Sequence, residues 1–185
     1  TPMGYRNDPM AAAARIISSL GGILEQNGSK TAVATVGKME CRPNTPNVIP
    51  GEVFFTVDVR DIDAQSMESI CASIQDMVQR VAEGQGVEWD CRFLVKTPPI
   101  ELSQDIRACL AQSAADLGIP AKAMNSGALH DAGIMAQVCD VGLVFVPSKG
   151  GRSHVPQEDT DFEDIEKGAA VLLEGIKRLA GPQGR

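Results

Sequence analysis

The sequence predicts a mixed α/β chain built in two parts. Up to about residue 102, helical periodicity and strict strand alternation take turns in the order helix, strand, strand, helix, strand. After Ser103 the pattern changes to helices around a continuous apolar run, which predicts a helix-covered strand at the edge of a layered α/β domain. The 185 residues suit one full domain or two small ones, and an apolar fraction of 43% is enough for a core.

The first helix starts at Asp8-Pro9, a capping carboxylate followed by the residue best tolerated at the first helical position. Met10, Ala13, Ile16, Ile17, Leu20, Ile23 and Leu24 then recur at helical spacing, Gly21 and Gly22 weaken the helix, and Gly28 closes it. "TAVATVGKMEC" (31–41) reads as a strand, and "PNTPNVIPG" (43–51), rich in proline and asparagine, as a loop. "EVFFTVDVR" (52–60) alternates, with Val53, Phe55, Val57 and Val59 on one face, and pairs antiparallel with the strand before the loop. Asp63 caps a second helix whose stripe is Met67, Ile70, Cys71, Ile74, Met77, Val78 and Val81. "VEWDCRFLV" (87–95) alternates again and is expected to be a third strand. With one more strand before Thr1 this order is a ferredoxin-like split β-α-β sandwich, so the expectation is that sandwich lacking its first strand.

In the second part, residues 104–117 are expected to be helical and closed by Gly118. "VGLVFVPS" (141–148) has the continuous apolar character of a buried strand, and residues 161–179 form an amphipathic helix with Ile165, Ala169, Leu172, Leu173, Ile176 and Leu179 on its stripe.

Charge and composition remove several function classes. A formal charge of -7 argues against nucleic acid or an anionic membrane as partner. No apolar run approaches the roughly 20 residues of a membrane span. The five cysteines have no CxxC spacing and an odd count, and Cys71 and Cys91 fall in apolar patterns, so buried free thiols and a cytoplasmic, reducing home are expected.

Two histidines limit where imidazole chemistry can occur. His154 follows the apolar run and a Gly150-Gly151 turn, at the strand end where α/β sheets place ligand groups; it is either a turn histidine or a metal ligand or general base. His130 and Asp131 in "SGALHDAG" are either first-turn helix residues or, with Gly127, part of a turn that lets a substrate oxygen approach the backbone. Arg60 is either half of a surface pair with Asp58 or a bidentate carboxylate clamp. Asn47, between Pro46 and Pro50, either stabilises its own turn or reads a polar substrate group. No nucleotide-binding, zincin or nucleophile-elbow motif is present, and no serine is marked as standing beside a histidine.

Taken in order, "TPMGYRND", "PNVIPGEVFFTVDVRD", "SGALHDA" and "VFVPSKGGRSHVPQED" closely resemble the hydantoinase/carbamoylase-type metal-dependent amidohydrolases of the aminoacylase and carboxypeptidase clan, which include N-carbamoyl-L-amino acid hydrolases and allantoate amidohydrolases. The resemblance runs from Thr1 to about Leu179. It implies that residues 1–102 are most of a lid and dimerisation domain, and that 103–185 are the C-terminal segment of a zinc-peptidase-like catalytic domain. It implies His154 as a metal ligand, Asn47 and Arg60 as binders of the substrate carboxylate, and Gly127 and His130 as pocket lining. Leu129 departs from the family's usual glycine, and Arg152 from a usual apolar residue. The other ligands of a dinuclear zinc or manganese site, and the general-base glutamate, are expected upstream of Thr1. One histidine cannot hold such a site, so the 185-residue chain alone is expected to be inactive. The implied reaction is hydrolysis of the carbamoyl C–N bond of a ureido acid in a homodimer formed through the lid. The competing readings are a non-catalytic dimerisation or ligand-binding module and a peptidase of the same clan.

Overall fold

The computed structural model describes residues 1–181, so positions 182–185 of the second predicted part lie outside the described residues. The chain divides into a unit covering Thr1–Pro99 and a second beginning at Ile100.

In the first unit, α1 (Pro9–Asn27) begins where the Asp8 carboxylate accepts the backbone N–H groups of Met10 at 3.0 Å and Ala11 at 3.2 Å. It runs through Gly21 and Gly22, whose cost of about 1 kcal/mol each is outweighed by burial of Ala12, Ala13, Ile16, Leu20 and Ile23. A short 3-10 turn, Met3–Tyr5, precedes it. Strands β1 (Val33–Arg42) and β2 (Glu52–Arg60) form an antiparallel hairpin, with Gly51 N–H closing the loop onto the Arg42 carbonyl at 2.9 Å. The register steps from Thr35 opposite Asp58 to Lys38 opposite Thr56, so Val36 and Gly37 together face Val57, as in a β-bulge.

Helix α2 (Ala64–Gln85) starts where Asp63 accepts Ser66 N–H at 2.9 Å and ends at Gly86, which sits at φ +63° in the left-handed region. Leu20 and Ile23 of α1 meet Ile70 and Ile74 of α2 in the core, with Val36, Val57 and Val59 of the hairpin packed against them. Each of these side chains contributes about 1.5–3 kcal/mol on burial.

In the second unit, α3 (Gln104–Asp116) packs on α5 (Phe162–Ala180), and α4 (Asp131–Met135) is a single short turn of helix. Gly168, Val171 and Gly175 are the buried positions of α5; Gly175 faces Leu110 and Ser113 of α3, Gly168 faces Val146, and Ser113 is fully buried, bonded to the Cys109 carbonyl at 2.8 Å. A Cβ on Gly175 would lie 2.7 Å from Leu110 Cδ2. The wide apolar stripe of α5 faces outward instead, with Leu173 at 55% and Ile176 at 60% exposure. Close helix approach here selects small side chains over large apolar ones.

Two strand expectations are corrected. Residues 87–95 and 141–148 form no ladder: among the described residues the one sheet is β1–β2. An alternating or apolar segment becomes a strand only when a neighbour takes its backbone groups. Accordingly Trp89 and Phe93 are exposed, as is Cys91, which was expected to be buried. All five cysteines are free thiols. No helix among the described residues is long and apolar enough to cross a membrane.

Candidate functional site

Arg60 ends β2 on its exposed face. Its Nε donates to Asp58 Oδ1 at 3.1 Å and its Nη2 to Asp58 Oδ2 at 2.8 Å. Strand geometry produces this pair, because residues two apart share a face. The bonds donated by Arg60 hold the Asp58 carboxyl below the usual carboxylate range and raise the guanidinium in turn.

The next residue, Asp61, is the densest polar junction of the first unit. Its Oδ1 accepts from Ser29 Oγ at 2.6 Å, Thr31 Oγ1 at 2.7 Å and Ile62 N–H at 2.7 Å, and its Oδ2 accepts from Ser66 Oγ at 2.5 Å and Ser29 N–H at 3.2 Å. One carboxylate therefore ties the loop after α1, the end of β2 and the first turn of α2. Burial alone would push its pKa up, but the bonds donated by Ser29, Ser66, Thr31 and Asp63 N–H outweigh it and hold the group well below the ordinary range. Sequence reasoning missed this junction. Its only trace is the Ser29, Thr31 and Ser66 hydroxyls, which are unremarkable singly.

Asn47 lies in the β1–β2 loop, inside the turn that Val48 N–H closes onto the Thr45 carbonyl. It stands at the opposite end of β2 from Arg60. The nine residues of β2 place about 27 Å of strand between the two ends.

In the second unit, "SGALHDA" makes a turn into α4, with His130 at the N-cap position and Asp131 in the first turn. Ser126 Oγ lies 2.7 Å from His130 Nε2 and accepts Ala128 N–H at 3.1 Å. The imidazole lies 5.4 Å from the Phe145 ring, tilted at 58°. A serine does stand beside a histidine, which the sequence does not mark, but among the described residues no carboxylate bonds to this imidazole as in a hydrolytic triad. A Cβ built on Gly127 meets nothing within 4 Å, and its φ is not in the left-handed region. Nothing in the fold of this turn requires glycine there. Leu129 is 75% exposed, so it leaves the Ser126 contacts intact.

His154 sits at φ +59°, a region that favours glycine, with its N–H held by Glu158 Oε2 at 2.7 Å. The surrounding loop is clasped at its base. Lys149 Nζ reaches Asp159 Oδ2 at 2.6 Å and Asp161 Oδ1 at 2.8 Å, and Ser148 Oγ donates to the Arg152 carbonyl. The bonds to Asp159 and Asp161 raise the Lys149 ammonium well above its ordinary value. His154 is thus fixed through its backbone, with an exposed side chain. Among the described residues no three His, Cys, Asp or Glu side chains converge as a metal site. Catalytic zinc takes about three protein ligands, so these residues do not complete a metal centre, and His154 supplies at most one.

The sequence profile of Peptidase family M20/M25/M40 matches residues 6–178, and the chain belongs to that family. Its members are generally metal-dependent. The chain is 38% identical to the N-carbamoyl-L-amino-acid amidohydrolase of Paenarthrobacter aurescens over 97% of its own length and 43% of the relative's. It is 32% identical to the allantoate amidohydrolase of Escherichia coli over 97% of its length and 44% of that protein's. Among solved structures it superposes on a hydantoinase/carbamoylase family amidase from Burkholderia multivorans with a TM-score of 0.88 and 37% identity, covering 95% of this chain and 43% of that one. The chain therefore spans less than half the length of these relatives.

Proposed function

We propose that this chain is part of a metal-dependent amidohydrolase that cleaves the carbamoyl C–N bond of N-carbamoyl-L-amino acids, releasing the amino acid, ammonia and carbon dioxide. The observation that carries the reading is the similarity, along 97% of the chain, to an enzyme named for that substrate class. Residues 1–102 are read as most of a ferredoxin-like lid and dimerisation domain, and 103–185 as the closing segment of the catalytic domain. The free thiols suit a reducing compartment such as the cytoplasm.

Arg60 is the carboxylate clamp. Asp58 holds the Nε and Nη2 edge and thereby sets the guanidinium plane, so a substrate carboxylate would be met by the Nη1/Nη2 edge of the same planar group. Gly127 leaves open space beside the backbone, and His130 lines the same turn. His154 is offered as one ligand to a zinc or manganese centre whose remaining ligands this chain does not supply.

Asn47 is read as contacting the same substrate. About 27 Å of strand separates the two ends of β2, farther than a small ureido acid reaches. A homodimer in which Asn47 of one copy and Arg60 of the other share one substrate is part of this reading. Allantoate is the second reading, favoured by the Escherichia coli relative; it too is a ureido acid bearing carboxylates.

The test is His154→Ala in the full-length protein, read by turnover of ureido acids and by bound metal. Turnover should be abolished and one metal should bind more loosely. Full activity with unchanged metal content would remove His154 from the site.

A further inference from the structure

The Ser126 hydroxyl has three partners and one proton. Oγ lies 3.1 Å from Ala128 N, 3.3 Å from the Ala128 carbonyl oxygen and 2.7 Å from His130 Nε2. The Ala128 N–H can only donate, so Oγ accepts it. The Ala128 carbonyl can only accept, so Oγ gives it the hydroxyl proton. One proton and two lone pairs then leave Oγ as an acceptor toward His130. The one assignment in which all three contacts are hydrogen bonds has Nε2–H donating to Ser126. The partly buried ring, packed against Phe145, cannot exchange its nitrogens without giving up this contact.

We infer that Ser126 is a positioning residue that fixes neutral His130 as the Nε2–H tautomer, so that the ring meets the substrate through Nδ1 as a hydrogen-bond acceptor for an N–H of the ureido group. The substrate half rests on the reading of His130 as pocket lining. The tautomer half stands on the geometry alone. The geometry makes Ser126 a support for the histidine and not a nucleophile, because its proton is committed to a backbone carbonyl and His130 has no lone pair facing it.

The test is nitrogen-15 NMR of the histidine rings in the full-length protein, above the pH at which imidazole is protonated, with the His130 signals identified by their loss in His130→Gln. The expected result is an Nε2–H ring whose proton exchanges slowly with water. That protection should be lost in Ser126→Ala and kept in Ser126→Thr, which retains the hydroxyl. kcat/KM for a ureido acid should fall roughly three- to tenfold in Ser126→Ala, the scale of one net hydrogen bond, and recover in Ser126→Thr. An Nδ1–H ring in the wild-type protein overturns the inference, and that spectrum decides even if Ser126→Ala does not fold. Unchanged proton exchange in Ser126→Ala overturns it as well. If His130→Gln turns over substrate with unaltered kcat/KM, the substrate contact is wrong. Loss of turnover in that variant alongside an Nδ1–H wild-type ring would instead leave the site reading standing and refute this inference alone.

Discussion

Arg60 and Asp58 stand two residues apart on one face of β2, and the guanidinium meets the carboxylate with both Nε and Nη2, at 3.1 and 2.8 Å. Both side chains are about half exposed, 44% for Arg60 and 55% for Asp58. A pair in that setting contributes between zero and about 1 kcal/mol to stability. Its consequence is orientational: the strand fixes Asp58, and Asp58 fixes the plane of the fork.

Replacing that fork should therefore change binding more than folding. Arg60→Lys in the full-length protein should raise KM for a ureido acid about tenfold or more, with a smaller effect on kcat, because an ammonium cannot present paired donors to a carboxylate. Steady-state kinetics on the two proteins checks this, and an unchanged KM would remove Arg60 from the site.

The Asp61 junction should show itself in stability and its pH dependence. Asp61→Asn removes the charge from a carboxylate with six donors at 2.5 to 3.3 Å and should cost about 1–3 kcal/mol. The folded-state pKa is depressed, so the contribution is fully present above the unfolded value of about 3.9. It is lost as pH falls from there through the lower folded value, where the unfolded chain binds a proton the native chain does not. Denaturant melts at descending pH should show the gap between wild type and variant closing below about pH 4. A gap that stays constant there would contradict the assignment.

Gly127→Ala separates fold from function. A Cβ at this position meets nothing within 4 Å, so the melting temperature should stay within the range of a neutral surface change, about 0.5 kcal/mol. If the open space is where substrate approaches the backbone, kcat/KM should fall. Thermal melts paired with kinetics check both halves, and intact kinetics would exclude Gly127 from the pocket.

Gly168→Ala should do the reverse of what helix propensity suggests. Alanine is the better helix former by about 1 kcal/mol, yet a Cβ here would sit 2.5 Å from Val146 Cγ1, a branched side chain with little freedom to move. Overpacking of this kind costs about 1–3 kcal/mol, so the melting temperature should drop. A rise would show that Val146 yields.

These positions also show how much was legible in advance. The caps at Asp8 and Asp63 and the apolar stripes of α1 and α2 are local signals, and the structure forms both helices from them. Alternation in residues 52–60 likewise gave β2 and its inward valines. Where a pattern needs a distant partner, the sequence misleads. "VEWDCRFLV" alternates as cleanly as β2 but has no neighbouring strand among the described residues. The stripe of α5 is strongly apolar, yet the buried positions are Gly168, against Val146, and Gly175, against Leu110 of α3. Within the candidate site, Arg60 and His154 stood out by residue type. Ser126 and Asp61 did not, because hydrogen bonds among ordinary hydroxyls and a carboxylate leave no periodic trace.

The most direct test of the account is ammonia release by the full-length protein, loaded with manganese or zinc, on a panel of N-carbamoyl-L-amino acids, N-carbamoyl-β-alanine and allantoate. The account predicts turnover of at least one ureido acid, abolished by a chelator and restored by metal. Metal-loaded protein that releases no ammonia from any of them, while hydrolysing peptides or other N-acyl amino acids, would contradict it.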